Sequence, residues 1–383
     1  MILPGGILAG MDTIARKRVL DVDAEWELVK GLLPTGWQEK AKQSGAVRRL
    51  RGIDSVESLL RILLVHLADG CSLKETALRV FQAGLGTISS VGIFKRLRAA
   101  GSWLAWMAAG LWGEKQPVAA GRHCVAVDAT TVCEHGETGS MYRVHWCVNL
   151  ANLQCEFLEL TDVHGGEKFA RFPVAKGDLI MGDRGYSNAN GVDYVRRNGG
   201  HVLMRANPMS LPMYGQRGGE KLNVLAELKG MKIGEVRELQ AWVKGHEGRW
   251  HRGRLVVVKR SLAATRREIR RRRKVTKSRD RKLGKCARKL AGYLMVWTSL
   301  SATEMGARQV LRTYRLRWQL ELVFKRAKSI MGLGQLPKYS DASSRAWLNG
   351  KLLVAMLVEK LWQHAEHFSP WGYDLPEPTK PLA

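Results

Sequence analysis

Two aspartates stand where a strand pattern runs out. Asp128 closes His123-Cys-Val-Ala-Val, and Asp183 closes Leu179-Ile-Met-Gly. Ligands of open α/β sheets gather at the carboxyl ends of strands, so two acids there can converge on one hard cation. Taken singly, each also reads as a turn former or helix cap. A third acid lies in a helical stretch, where Arg317, Glu321 and Lys328 follow Tyr314 at offsets of 3, 7 and 14. At about 100° per residue the four share one stripe about 60° wide. One acid framed by Tyr, Arg and Lys suits a site that takes both a metal and a phosphate. The plainer alternative is a surface face with an Arg317–Glu321 ion pair one turn apart.

These side chains need a scaffold. Residues 20–112 read as helical. An apolar run around Leu59–Leu67 follows Asp54 and breaks at Gly70, and Ser72 with Glu75 forms a capping box for a second helix to Phe81. Ser89 or Ser90 caps a third, carrying Lys95, Arg96 and Arg98. A Gly-containing break followed by a basic helix outlines a helix-turn-helix, with a packing-only bundle as the alternative. Gly113–Arg122 is a linker. Strands are expected at His123–Asp128, Met141–Asn149, Leu153–Leu160, Asp178–Asp183 and His201–Ala206, with helices at Gly165–Phe172 and Asn188–Asn198. Together they make a mixed sheet flanked by helices. From 207 to about 292 the chain turns to Gly and charge, with antiparallel strands at Glu235–Val243 and Arg254–Arg260. Strand Tyr293–Thr298 follows, then a long helix Ala302–Met331 and another from Ser340 or Asp341 to about His367.

Composition limits what such a scaffold can serve. At 383 residues two or three domains are expected, and 45% apolar with 25% charged residues excludes wholesale disorder. No apolar run approaches the roughly 18–20 residues of a membrane span. Met1–Gly10 is apolar but has no basic flank, so a signal peptide is not expected. The six cysteines show no CxxC pair, which argues against a zinc ribbon, and no disulfides are expected. A zinc cluster of His123, Cys124, Cys133, His135, His145 and Cys147 would need ligands from opposite faces of strands. The net charge of +27 points to a polyanion, nucleic acid before an anionic membrane. Arg266–Lys289 alone holds 14 basic residues and two acids. It has no aromatic, so it suits phosphate tracking rather than base stacking; a solvated basic loop is the alternative.

The run Tyr314-Arg-Leu-Arg317-Trp-Gln-Leu-Glu321 through Lys328 follows the pattern Tyr-x2-Arg-x3-Glu-x6-Lys. It resembles the signature of the insertion sequence 4 family of DDE transposases. Asp128-Ala-Thr resembles that family's first-Asp motif, with Ala129 in place of the commoner Gly. Gly182-Asp183-Arg-Gly-Tyr resembles the second, and the likeness covers about residues 120–365. It implies an α/β fold: an RNase H-like mixed-sheet catalytic core, an inserted β-rich domain and an all-α N-terminal domain. The expected boundaries are 1–115 for the helical, helix-turn-helix domain, 116–207 and 293–370 for the catalytic domain, 208–292 for the insertion and 371–383 for a tail.

The same resemblance implies Asp128, Asp183 and Glu321 as catalytic acids holding two Mg²⁺ ions, with Mn²⁺ as a substitute. Tyr314, Arg317 and Lys328 would hold DNA phosphates. Further DNA contacts are expected from Arg184, from Arg270, Arg271, Arg272 and Arg273, and from Lys95, Arg96 and Arg98. The partners implied are double-stranded transposon ends and target DNA, with a homodimer in the synaptic complex and no membrane. The location implied is the bacterial cytoplasm, at the nucleoid. Water would cut the transposon end and the freed 3′-hydroxyl would attack DNA, through a hairpin in some relatives. Trp242 and Trp250 are the aromatics available to seat a flipped base, packing being their plainer use. An RNase H-like nuclease without strand transfer and a DNA-binding descendant of an inactive transposase are the competing readings. The complete stripe argues against the first, and the three intact acids argue against the second.

Overall fold

The computed structural model describes residues 22–111, 117–118, 122–134, 140–152, 154–277, 282–318, 332, 335–336 and 340–366. Glu321, Lys328, His135 and the expected 371–383 tail lie outside these residues. The chain divides into two compact units, Met1–Trp112 with Met331–Ala383, and Gly113–Ile330.

The first unit is helical: α1 (Val22–Leu32), α2 (Trp37–Gln43), α3 (Val56–Asp69), α4 (Leu73–Gln82), α5 (Ser90–Ala99), α6 (Gly101–Gly110) and a C-terminal helix, Asp341–Glu366. Leu59, Leu60, Ile62, Leu63 and Leu67 bury one side of α3, and Gly70 ends it in the left-handed conformation that glycine adopts without strain. Ser72 caps α4 by accepting from the Glu75 amide at 3.2 Å. Of the two serines expected to cap α5 it is Ser89, which accepts from the Gly92 amide at 3.1 Å. α2 and α6 meet through stacked Trp37 and Trp103, whose indole N–H donates to the Trp37 carbonyl at 2.8 Å. Gly101 lets α6 approach Ala346 of the C-terminal helix, where an added Cβ would come within 3.2 Å of the alanine methyl.

The second unit is built on one mixed sheet. Its principal strands are β1 (Arg122–Glu134), β2 (Ser140–Asn149), β3 (Cys155–Asp162), β4 (Leu179–Gly182), β5 (His201–Arg205), β6 (Val236–Gln240), β7 (Arg254–Lys259) and β8 (Tyr293–Thr298). Their spatial order is β3-β2-β1-β4-β5-β8-β7-β6. β1, β4 and β5 are parallel, and every other pairing in this order is antiparallel. The strands expected between 207 and 292 therefore extend the main sheet through β8. Side-chain alternation sorts the interior into two cores. Val125, Val127, Ile180, Val202, Val257 and Trp297 pack on one face, with Phe169, Tyr186 and Val192 over them. Cys124, Ala126, Leu179, Met181, Leu203 and Val256 pack on the other, under Val310 and Tyr314. The covering helices are α7 (Ala189–Arg197) on the first face and α10 (Ala307–Leu316) on the second.

Three elements differ from expectation. Gly165–Phe172 is mostly irregular, with one 3₁₀ turn at Phe169–Arg171, and the Asp162 carboxylate accepts from the His164 and Gly165 amides in a turn before it. The helix expected from Ala302 starts at Ala307, after a separate turn in which the Glu304 carboxylate accepts from the Ser301 amide at 2.8 Å. The basic run is largely regular. Leu262–Lys277 forms α8 and Lys285–Leu290 forms α9, since Arg and Lys are good helix formers.

At the start of β1, His123 lies between two carboxylates, with Glu156 at 2.8 Å from Nε2 and Asp178 at 2.9 Å from Nδ1. The Glu156 hydrogen bond, ahead of that from Asp178, raises the His123 pKa despite burial. The stabilisation is therefore complete below the unfolded value of about 6.5 and is lost as pH rises through the higher folded value. Melting temperatures measured from pH 6 to pH 9 should fall for the wild type and fall less for His123→Gln. Parallel profiles would remove this histidine from the pH response.

Candidate catalytic site

Asp128 is not at the end of its strand, as the apolar run suggests. β1 continues to Glu134 because β2 keeps pairing with it, Asp128 opposite Trp146. The strand that stops is the parallel neighbour. Val127 pairs with Gly182, the last residue of β4, so Asp128 and Asp183 each stand one residue past that pair on adjacent strands. Both follow the alternation that faces α10. Asp128 continues Cys124 and Ala126, and Asp183 continues Leu179 and Met181.

Each acid is held locally. Asp128 Oδ1 accepts from the Ala129 amide at 2.8 Å, and Asp183 Oδ1 accepts from the Gly185 amide at 2.6 Å. Arg317, just past α10, reaches Asp128 Oδ2 at 3.4 Å, and its guanidinium lies 5.8 Å from the Tyr314 ring centre. The structure thus brings Asp128, Asp183, Arg317 and Tyr314 together. Burial, with Asp183 second, pushes the Asp128 carboxyl up to about 7, outweighing the Ala129 amide and Arg317.

A further acid was invisible to the sequence reading. Glu167 sits in the irregular stretch before the 3₁₀ turn, and its Oε2 presses against Gly185, where any Cβ would collide with it and stand 3.1 Å from Asp183 Oδ1. Burial and Asp183 raise the Glu167 carboxyl. Phe169 sets this loop by lying where Cβ atoms on Gly182 and Gly191 would be, at 2.8 and 2.9 Å. The local hint was a glycine after Asp183-Arg184; the contact itself is tertiary. Tyr186 is fully buried, and its hydroxyl, which has no hydrogen-bond partner among the described residues, feels Asp128, Glu167 and Asp183.

This donor set fits a hard cation. Adjacent carboxylates, one of them hard to ionise in isolation, provide oxygen ligands that a divalent ion would stabilise. Among the described residues no three His, Cys, Asp or Glu side chains group as metal ligands by themselves, and Glu321 is outside them. The zinc alternative finds no support there, since His123 is occupied by carboxylates.

The other expected residues are spread more widely. Arg184 donates to Asn207 Oδ1 at 3.0 Å and is pushed down to about 10 by burial and by nearby arginines. On α8, Arg270, Arg271 and Arg273 are exposed, whereas Arg272 is buried and donates to Glu268 and to the Ala287 carbonyl, both at 2.8 Å. In the helical unit Lys95 and Arg98 are exposed, and Arg96 reaches the Arg51 carbonyl at 3.4 Å. Trp250 meets Tyr214 edge-on at 5.0 Å, and Trp242 is half-buried. A short hairpin of Val243–Lys244 against Trp250–His251 is tied to α7 by Asp193, which accepts from Arg249 at 3.0 Å and lies 2.8 Å from His251 Nε2.

Residues 120–357, which carry all of this catalytic geometry, match the transposase DDE domain family. The match spans more than half of the chain, and the chain belongs to that family. It is a metal-dependent polynucleotidyl transferase or nuclease of the transposase class, and the family generally uses divalent metal ions. Among its relatives are two from Escherichia coli. One, named transposase InsL for insertion sequence element IS186A (strain K12), is 28% identical over 350 residues, covering 88% of this chain and 93% of the relative. The transposase for insertion sequence element IS421 is also 28% identical, over 351 residues, with the same coverage. A third, the transposase for insertion sequence element IS231F of Bacillus thuringiensis subsp. israelensis, is 26% identical over 197 residues, covering 47% of this chain and 41% of its own. Among the described residues no helix is long and apolar enough to cross a membrane.

Proposed function

We propose that this protein moves an insertion sequence: it binds the terminal inverted repeats as duplex DNA, cuts the ends and joins them to target DNA. The observation that carries this reading is the pairing of Asp128 and Asp183 on adjacent parallel strands, with Arg317 on Asp128. Asp128, Asp183 and Glu321 would hold two Mg²⁺ ions, for which Mn²⁺ can substitute. Bound there, such a pair supplies charge stabilisation to the attacking and leaving oxygens of an in-line displacement.

The chain's own groups do the rest. Arg317 exchanges part of its hold on Asp128 for a phosphate, using its planar fork. Tyr314 and Lys328 orient the terminal nucleotides. Arg184, the α8 arginines Arg270, Arg271 and Arg273, and Lys95, Arg96 and Arg98 give sequence-independent grip, while Arg272 anchors α8. No side chain acts as covalent nucleophile: water cuts first, and the freed 3′-hydroxyl then attacks. Two copies of the chain, one at each end, form the synaptic complex. On this reading the chain is organised as a helical DNA-binding segment over 1–115, an RNase H-like core over 116–207 and 293–370, an insertion over 208–292 and a tail over 371–383. The Tyr-Arg-Glu-Lys spacing supports membership of the insertion sequence 4 group.

The test is cleavage and strand transfer on DNA bearing the repeats that flank the gene. The wild type should cut at the repeat ends in Mg²⁺, lose that in EDTA, and join a pre-cut end to a plasmid. Glu321→Gln should bind ends and neither cut nor join. Cutting without joining would favour a nuclease, and efficient cutting by Glu321→Gln would remove that acid from the site.

A further inference from the structure

The run from Arg266 to Lys289 holds fourteen bases and two acids. One of those acids, Glu268, is buried and is the centre of a cluster. Arg205 at the end of β5 reaches it at 2.8 Å, Arg272 at 2.8 Å, Arg271 at 3.1 Å and Arg260 at 3.7 Å. Arg184, hydrogen-bonded to Asn207, completes the group and feels Arg272, Arg205, Glu268 and Arg271.

Among the described residues Glu268 is the one carboxylate that Arg205, Arg260 and Arg272 reach, so positive charge outnumbers negative around it. Arg184, Arg205 and Arg260 are half-buried, where uncompensated charge is costly. Burial and neighbouring arginines lower Arg260 as they do Arg184, while Glu268 is held far below the usual carboxylate range by Arg271, Arg272 and Arg205. The cluster thus keeps its charges by positioning, around the single carboxylate that the described residues place there. It also sits beside the acids. Arg184 follows Asp183 directly, and the Tyr314 hydroxyl feels Arg317, Arg205 and Asp183.

We propose that Arg184, held by Asn207, and Arg205 and Arg260, held by Glu268, form a basin for the phosphodiester backbone of duplex DNA next to the catalytic acids. Glu268 is a positioning residue here: it holds the forks in one geometry, and the donors it leaves over take the phosphates. Arg272 is spent on Glu268 and the Ala287 carbonyl. The proposal rests on the DNA-binding reading above and adds three residues to it, Arg205, Arg260 and Glu268.

The test is the salt dependence of binding to a fluorescein-labelled duplex of arbitrary sequence, read by anisotropy. Each guanidinium that meets a phosphate contributes about 0.9 to the slope of log affinity against log salt. Arg205→Gln combined with Arg260→Gln should therefore flatten the slope by about 2 and weaken binding at least tenfold at low salt. Arg260→Gln alone, which removes the longest of the Glu268 contacts, should flatten it by about 1 with an unchanged melting curve, so misfolding of the double variant does not decide the matter. Arg205→Lys with Arg260→Lys should keep the slope but bind several-fold more weakly, because the charge stays and the fork is lost. A steep wild-type slope that both Gln variants retain overturns the basin and leaves the DNA reading intact. A wild type that binds no duplex at any salt overturns both.

Discussion

Asp128→Asn is expected to be inactive and, without divalent cations at pH 8, more stable than the wild type. Loss of one carboxylate of the site should slow end cleavage by on the order of 10³-fold or more, roughly 4 kcal/mol of barrier, with duplex binding nearly kept. The stability gain follows from the fold's preference for a neutral Asp128. Below the unfolded carboxyl value of 3.8 the group costs nothing. Between there and about 7 the unfolded chain ionises while the folded carboxyl resists, so stability falls as pH rises and levels off above about 7. Three pKa units correspond to about 4 kcal/mol, a net figure in which the favourable Arg317 ion pair, lost in the variant, is already included. Melting curves in EDTA should therefore converge near pH 4 and separate by pH 8, the variant higher. Adding Mg²⁺ should rescue the wild type alone, since the ion binds the native site. A variant that melts below the wild type at pH 8 in EDTA would overturn this account. Asp183→Ala should likewise abolish cleavage while leaving end binding nearly intact.

The second large effect concerns Trp297 on β8. It is fully buried, donates its indole N–H to the Ala241 carbonyl at 2.9 Å, and packs over Gly253, where a Cβ would strike the ring. β8 is the strand through which β7 and β6 join the sheet. Trp297→Ala should cost roughly 3–5 kcal/mol, seen as a lower denaturant midpoint and faster proteolysis between 236 and 259. Trp297→Phe should keep more than half of that stability, losing the hydrogen bond but little of the packing. A cost below about 1 kcal/mol for the alanine variant would mean that the strands beyond β8 hold themselves.

Much of the scaffold was legible because its signals are local. The Ser72 cap, the alternation of Val125 and Val127 against Cys124 and Ala126, and the paired aspartates can all be read from neighbours in sequence. What escaped is set by contacts between distant segments. Asp128 looked terminal because only its parallel partner ends there, and that partner is 54 positions away at Gly182. Glu167 belongs to a stretch with no period, placed by the Phe169 ring between two glycines. Glu268 reads as a stray acid in a basic run, and its importance depends on Arg205 and Arg260 arriving from other strands. The departure of β6 and β7 from a separate sheet has the same origin, since strand pairing partners are chosen in three dimensions.

The alternation of β1 has a genetic corollary. Even-numbered residues of this strand face α10, and Asp128 with them. One codon inserted between Arg122 and Val127 would slip one side of the strand by a single position, either turning the carboxylate toward Phe169 or reversing the core side chains before the insertion. Two codons would restore the facing and only slide the carboxylate along Gly182. In-frame insertions in this strand should thus be accepted by the core according to parity, yet each that shifts Asp128 should abolish cleavage, because the carboxylate no longer stands beside Asp183.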